Sequence, residues 1–225
     1  MKKIVLLSGG IDSTTCLALA LQTAKPEEVL ALNMYYGQRH EKEMLSACKI
    51  AAYFGVELME MDLSEIFARS DCSLLKSSNN AIPEASYADQ LKKTDGKPVS
   101  TYVPFRNGLM LSAAASIAVS IGADFIYYGA HADDAAGNAY PDCSPEFTRS
   151  INDAIYLGTA GQVSVCAPFI HSTKADVVRE GLKMKAPYEL TWSCYEGGEK
   201  PCGKCGTCLD RAKAFEINGA TDPAL

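Results

Sequence analysis

The segment Ser8-Gly9-Gly10-Ile11-Asp12-Ser13 directly follows the apolar run Ile4-Val5-Leu6-Leu7, and this junction constrains the chain more than any other feature. An apolar strand that stops at two glycines and then opens a helix is a place to hold a phosphate. Gly9 and Gly10 let the backbone bend into conformations closed to other residues and bring N–H groups close to an anion. The helix starting near Asp12 adds the positive end of its dipole and its unpaired N–H donors. Ser8, Ser13 and Thr14 add hydroxyls, and Asp12 suits Mg²⁺, a hard cation that prefers oxygen. The G-x-x-x-x-G-K-[ST] pattern is missing, so the loop is not a kinase-type P-loop.

A chain of 225 residues can bury a core as one domain with a small appendage. No run approaches the ~20 apolar residues of a membrane span, and the N-terminus reads as a strand rather than a cleavable signal. The expected location is the cytoplasm, so the nine cysteines read as thiols and metal ligands rather than disulfides. A net charge of −6 argues against a broad basic stripe for nucleic acid. Neither nucleic acid nor membrane is an expected partner.

Strand-like and helix-like segments alternate. Residues 3–7, 29–35, 56–61, 124–129 and 162–168 read as strands; 12–22, 39–54, 106–121, 146–157 and 173–184 read as helices. In the second helix Met44, Leu45, Cys48, Ala51 and Ala52 fall on one face, and the helix over 106–121 is apolar or small nearly all round, as in a buried helix. Thr173 and Asp176 stand at the two positions of a capping box. The alternation predicts an α/β fold with a parallel sheet and helices on both faces. Between 64 and 104 the pattern breaks into turn chemistry, as in a partly mobile flap over the site or a disordered insertion without a role. The expected organisation is an α/β domain over residues 1–190, carrying that insertion, and a cysteine-rich segment over 191–225.

Cys194, Cys202, Cys205 and Cys208 give C-x7-C-x2-C-x2-C, with Gly203 and Gly206 leaving room for tight turns. Four thiolates at this spacing suit a closed, structural Zn²⁺ site, with an iron–sulfur cluster as the alternative. Arg106 and Lys174 are candidates for neutralising phosphate charge, Arg106 by its fork and Lys174 as a point charge. The remaining cysteines, Cys16, Cys48, Cys72, Cys143 and Cys166, read mostly as buried thiols.

The S-G-G-x-D-S loop over Ser8, Gly9, Gly10, Ile11, Asp12 and Ser13, continuing into Thr14 and Thr15, resembles the PP-loop of ATP pyrophosphatases. Together with Tyr102-Val103-Pro104-Phe105-Arg106-Asn107, Tyr140-Pro141-Asp142-Cys143, Ser172-Thr173-Lys174 and Thr191-Trp192-Ser193-Cys194-Tyr195, it resembles the 7-cyano-7-deazaguanine synthase family over nearly the whole chain. That resemblance implies a Rossmann-like fold and a ligase that joins 7-carboxy-7-deazaguanine and ammonia to give the 7-cyano product at the expense of ATP with Mg²⁺. It also implies one Zn²⁺ per chain and a homodimer. Asp12, Arg106 and Lys174 would be catalytic, and Arg106, Asn107, Asp133, Tyr140 and Asp142 would contact substrate. Where the family more often carries Asp-Tyr-Ser-Gly before Tyr-Pro-Asp-Cys, this chain reads Asp133-Asp134-Ala135-Ala136-Gly137-Asn138-Ala139, which leaves Asp133, Asp134 and Asn138 open as contacts. A PP-loop tRNA thiolase, for which Cys143 is the one thiol to test, and a zinc-ribbon nucleic-acid binder are the competing readings.

Overall fold

A computed structural model of the chain describes residues 1–224. Strands and helices alternate as β1 (Lys2–Leu6), α1 (Ile11–Ala20), β2 (Val29–Tyr35), α2 (Lys42–Phe54), β3 (Glu57–Asp62), α3 (Arg106–Ile121), β4 (Ala123–Tyr127), α4 (Pro145–Gly158), β5 (Ser164–Cys166), α5 (Lys174–Lys183) and α6 (Gly206–Ile217). All strand pairs are parallel, in the order β3-β2-β1-β4-β5. This is the α/β architecture that the alternation predicts.

Strand β1 is apolar from Ile4 to Leu6 because both of its faces are covered there. Ile4 enters one core with Leu30, Leu32, Leu111 and Ile126. Val5 enters the other with Ala31, Leu17, Ile50 and Val177. The chain leaves β1 for β2 on one side, and β4 pairs on the other, so the direction of winding reverses at β1. A crevice opens there at the carboxyl ends of the strands, where such sheets bind ligands.

Two helices differ from their sequence pattern. In α2 the buried residues are Ser46, Ala47, Ile50 and Ala51, while Leu45, Cys48 and Ala52 are exposed. The reason is steric: α2 docks on the glycine loop, and a Cβ on Gly9 would meet the Glu43 carbonyl, Ala47 nitrogen and Ser46 Cβ. Only a face of small residues permits that approach. Helix α3 buries one side, along Gly108, Leu111, Ala114, Ala115 and Ala118, and leaves Val119 and Ile121 exposed. Its many alanines make it look apolar all round, yet they cover little surface.

Helix α6 has no counterpart in the expected elements, since the cysteine spacing obscures its period. Gly206, Cys208, Arg211, Ala214 and Phe215 form its buried face. Arg211 holds the chain terminus by a bidentate pair with Asp222, at 2.6 and 2.7 Å, and donates to Thr191 Oγ1 at 2.8 Å. The stretch 64–104 is packed: Leu75, Val99 and Val103 are buried, and two short helices, Ser64–Phe67 and Tyr87–Leu91, punctuate it. No helix among the described residues is long and apolar enough to cross a membrane.

Candidate active site

A cavity of ≈ 230 Å³ lies at the crevice. Its walls come from the ends of β1 and β2 (Leu7, Met34), the glycine loop (Ser8, Gly10), α3 (Arg106, Asn107), the 64–104 stretch (Leu74, Tyr87) and the C-terminal segment (Trp192, Asp210).

The loop geometry divides the two glycines. Gly9 has φ +89°, open to glycine, and its contact with Glu43 leaves no space for a side chain. Gly10 is extended at φ −84°, a conformation any residue adopts, and a Cβ there would make only ordinary contacts. Gly10 therefore contributes absence of bulk where an anion approaches, not a special dihedral. Ser13 Oγ accepts from the Ser8 N–H at 3.2 Å and donates to the Gly10 carbonyl at 3.1 Å, which fixes the turn.

Ser8, Gly10, Asp12 and Ser13 line the cavity; Gly9, Ile11, Thr14 and Thr15 do not. Ile11 lies in the core. Thr14 Oγ1 donates to the Gly10 carbonyl at 2.7 Å, and Thr15 Oγ1 bonds the Ile11 carbonyl and the Tyr188 hydroxyl. A hydroxyl satisfied within its own helix, one turn below the loop, is turned away from the ligand.

Asp12 is ion-paired to Lys174 Nζ. His131 Nε2 stands 3.7 Å from Asp12 Oδ1 and 3.4 Å from Asp134 Oδ2. Burial pushes the Asp12 carboxyl up, but Lys174 and His131 outweigh it and hold the group below the usual range. Asp134 goes the other way, because burial outweighs His131. Arg106 stacks on Tyr36, its guanidinium 4.9 Å from the ring centroid. Burial works against its charge; the Tyr36 hydroxyl and the Asp142 carboxylate more than offset that, so the charge persists.

Of the expected substrate contacts, Arg106, Asn107 and Tyr140 line the cavity, whereas Asp133 and Asp142 do not. Asp142 is buried and accepts the Asn107 N–H at 2.8 Å; Asp133 accepts the Lys174 N–H at 2.8 Å. Each carboxylate caps the first turn of the helix that carries a cation, α3 or α5, and so aims that cation. Asp134 lines the cavity, while the Asn138 amide is spent on the Gly96 carbonyl. Tyr140 and Tyr87 meet edge to face at 5.5 Å, and the hydroxyls of Tyr87 and Tyr195 bond at 2.7 Å, giving an aromatic wall.

The Sγ atoms of Cys194, Cys202, Cys205 and Cys208 lie within 4.8 Å of one another, with Cys202 and Cys208 at 3.9 Å. Thiolates ~2.3 Å from one tetrahedral ion sit ~3.8 Å apart, so the four fit a single metal. Backbone N–H groups of Cys202 and Cys205 already point at sulfur. Cys205 caps α6, and bonds from the Cys194 and Cys208 thiols hold its own thiol far below the usual range. The metal segment also builds the cavity: Trp192 N–H donates to the Gly9 carbonyl at 2.9 Å, and Lys42 lies 4.3 Å above the indole. Cys16, Cys72 and Cys143 are buried and Cys48 is exposed. Burial pushes the Cys143 thiol well up, the reverse of an activated nucleophile.

The profile of the family described as Queuosine biosynthesis protein QueC matches residues 2–219. The chain belongs to this family. Among curated relatives, 7-cyano-7-deazaguanine synthase of Archaeoglobus fulgidus is 46% identical over 100% of this chain and 90% of its own length. That of Pseudoalteromonas atlantica is 42% identical over 99% of this chain and 97% of its own. Solved structures similar to this QueC-family fold include NMN synthetase from Francisella tularensis (TM-score 0.53, 14% identity, 98% of this chain and 78% of that one). The U34-tRNA thiolase NcsA from Methanococcus maripaludis, with its [4Fe-4S] cluster, is also similar (TM-score 0.50, 15% identity, 97% and 66%). At these identities the likeness speaks for the fold alone.

Proposed function

We propose that this QueC-family chain is an ATP-dependent carbon–nitrogen ligase, a 7-cyano-7-deazaguanine synthase acting in queuosine biosynthesis. The observation that carries this reading is one cavity in which a glycine loop with its Asp12–Lys174 pair meets Arg106, Asn107, Tyr140 and an aromatic wall. A phosphate grip beside a slot for a planar ring is what adenylation of a heteroaromatic acid requires.

A carboxylate is a poor electrophile, and ammonia cannot displace its oxygen. In the reading we favour, the acid oxygen of 7-carboxy-7-deazaguanine attacks the α-phosphorus of ATP and pyrophosphate leaves. The loop N–H groups, Lys174 and Arg106 stabilise charge gathering on the departing phosphates. Ammonia displaces AMP from the acyl carbon and gives the amide. The amide oxygen is then adenylated by a second ATP, and loss of AMP and a proton leaves the nitrile. Mg²⁺, which Asp12 would hold with Asp134 nearby, supplies screening of phosphate charge. Tyr140 and Tyr87 offer the ring its stacking surface.

The four cysteines we assign to one structural Zn²⁺, since four thiolates leave no open position and an iron cluster would spread them over several irons. Residues 1–190 would form the nucleotide-binding unit and 191–225 the metal-bound wall. A homodimer in the cytoplasm, without a nucleic-acid partner, completes the reading. The test is purified protein with ATP, Mg²⁺, ammonium and the carboxy-deazaguanine. AMP and pyrophosphate should form only with the acid, and the nitrile should accumulate. Sulfur transfer to tRNA, or AMP release indifferent to the acid, would overturn the reading.

A further inference from the structure

Glu43 has no role in the scheme above. It sits in the first turn of α2, where its carbonyl occupies the space a Gly9 side chain would need, so its backbone is fixed against the phosphate loop. It lines the cavity together with Arg106, yet forms no ion pair or hydrogen bond through its carboxylate among the described residues. Arg106 from α3 is the titratable group that acts on it, and Glu43 in turn raises the pKa of the buried Tyr36 hydroxyl after β2. The glycine loop presses on it with backbone only, and Tyr195 of the C-terminal segment lines the same cavity. A carboxylate held here is unfavourable twice, by burial and by nearness to a triphosphate. A structural role would be served better by an amide.

We propose that Glu43 is the base that frees the attacking nitrogen: it takes a proton from ammonium inside the cavity, and the ammonia so formed attacks the acyl-adenylate. This rests on the ligase reading. Ammonium holds its proton until about pH 9, so near neutrality almost all of it lacks a lone pair. In the step, one N–H bond breaks and the Glu43 O–H bond forms. The nitrogen lone pair makes the C–N bond, the bond from the acyl carbon to the AMP oxygen breaks, and AMP leaves with the electron pair. The added nitrogen then sheds a second proton to solvent. Burial pushes the Glu43 carboxyl up to about 7, with Arg106 partly opposing, which matches a group that must accept and release a proton at neutral pH.

The experiment is single-turnover amide formation by the intact enzyme, preloaded with acid, ATP and Mg²⁺, at fixed total ammonia from pH 6 to 9. With Glu43 as base the rate rises to about pH 7 and then levels. If only free ammonia reacts, the rate climbs about tenfold per pH unit up to about pH 9, and the proposal is overturned. Glu43→Gln should restore that tenfold climb and slow ammonia use at pH 7 at least about tenfold, while hydroxylamine, neutral at that pH, is used at close to the native rate. Equal losses with both nucleophiles, or loss of acid-dependent exchange of pyrophosphate into ATP, would make Glu43 a substrate contact and refute the base. A native enzyme with no such exchange would instead refute the ligase reading, and the base with it.

Discussion

Asp12 is a carboxylate that stays charged in a half-buried place because Lys174 and His131 face it. Replacing it by asparagine keeps the shape and removes the charge. Lys174 then loses its partner, and any cation at the loop loses an anionic ligand. Asp12→Asn is expected to lower kcat by about 10²–10³-fold with the circular dichroism spectrum unchanged, a loss of the size seen when one preorganised electrostatic contact is removed. Glu43 behaves in the opposite sense. Its folded pKa, about 7, lies above the ordinary 4.5. The folded chain therefore keeps a proton that the unfolded chain gives up between those values. Stability from this residue is full below about pH 4.5, falls as the pH rises to about 7, and stays low above it. Glu43→Gln lacks that loss, so urea unfolding should find the variant about 3 kcal/mol more stable than the parent at pH 8 and close to it near pH 4.5. A variant that is less active yet more stable is the mark of a group kept for chemistry.

At the scale of elements, the metal segment and the loop depend on each other. Trp192 bonds the Gly9 carbonyl, and Thr207 and Asp210 reach the cavity from α6. A bound metal in a Cys₄ site of small peptides is worth ~10–16 kcal/mol, far above what so short a segment gains from packing. Cys205→Ala, or a strong chelator, should therefore unravel α6 and abolish adenylation together, seen as lost helical ellipticity and lost pyrophosphate exchange. A metal-free variant that stayed folded and active would contradict this. The sequence made the cluster of four cysteines legible, because their spacing is local, and it made the strand–loop–helix junction legible for the same reason. It did not make α6 legible, since cysteines and glycines dominate its first turn. Nor did it expose the inward turn of Thr14 and Thr15, which depends on carbonyls a turn away. The packing face of α2 was hidden too: large apolar residues such as Leu45 lie outside, and the side that touches the glycine loop had to be small. Glu43 opens the helix that follows β2, on the side where α/β sheets collect ligand residues, and that position was the one signal available for it.

For the whole molecule, the cavity joins parts of the chain that are far apart in sequence. Ser8, Gly10 and Asp12 share its wall with Trp192, Thr207 and Asp210, and Arg106 and His131 line it too. The parallel order β3-β2-β1-β4-β5 makes this meeting possible, because it brings the ends of β1 and β4 together at the point where the winding reverses. A ligand that touches all these walls binds only when they are all in place, so its binding energy adds to global stability and not to one loop. At a hundred times its Kd, ATP with Mg²⁺ should stabilise the fold by about 2.7 kcal/mol, a rise in Tm of roughly 5–10 °C for a chain of this size. Asp12→Asn should show a much smaller rise at the same concentration. Protein stripped of its metal should show none, because the wall that carries Trp192 has lost its anchor. A full rise in the stripped protein would mean that nucleotide is held by the sheet and its loop alone, and that the cysteine segment closes some other part of the site.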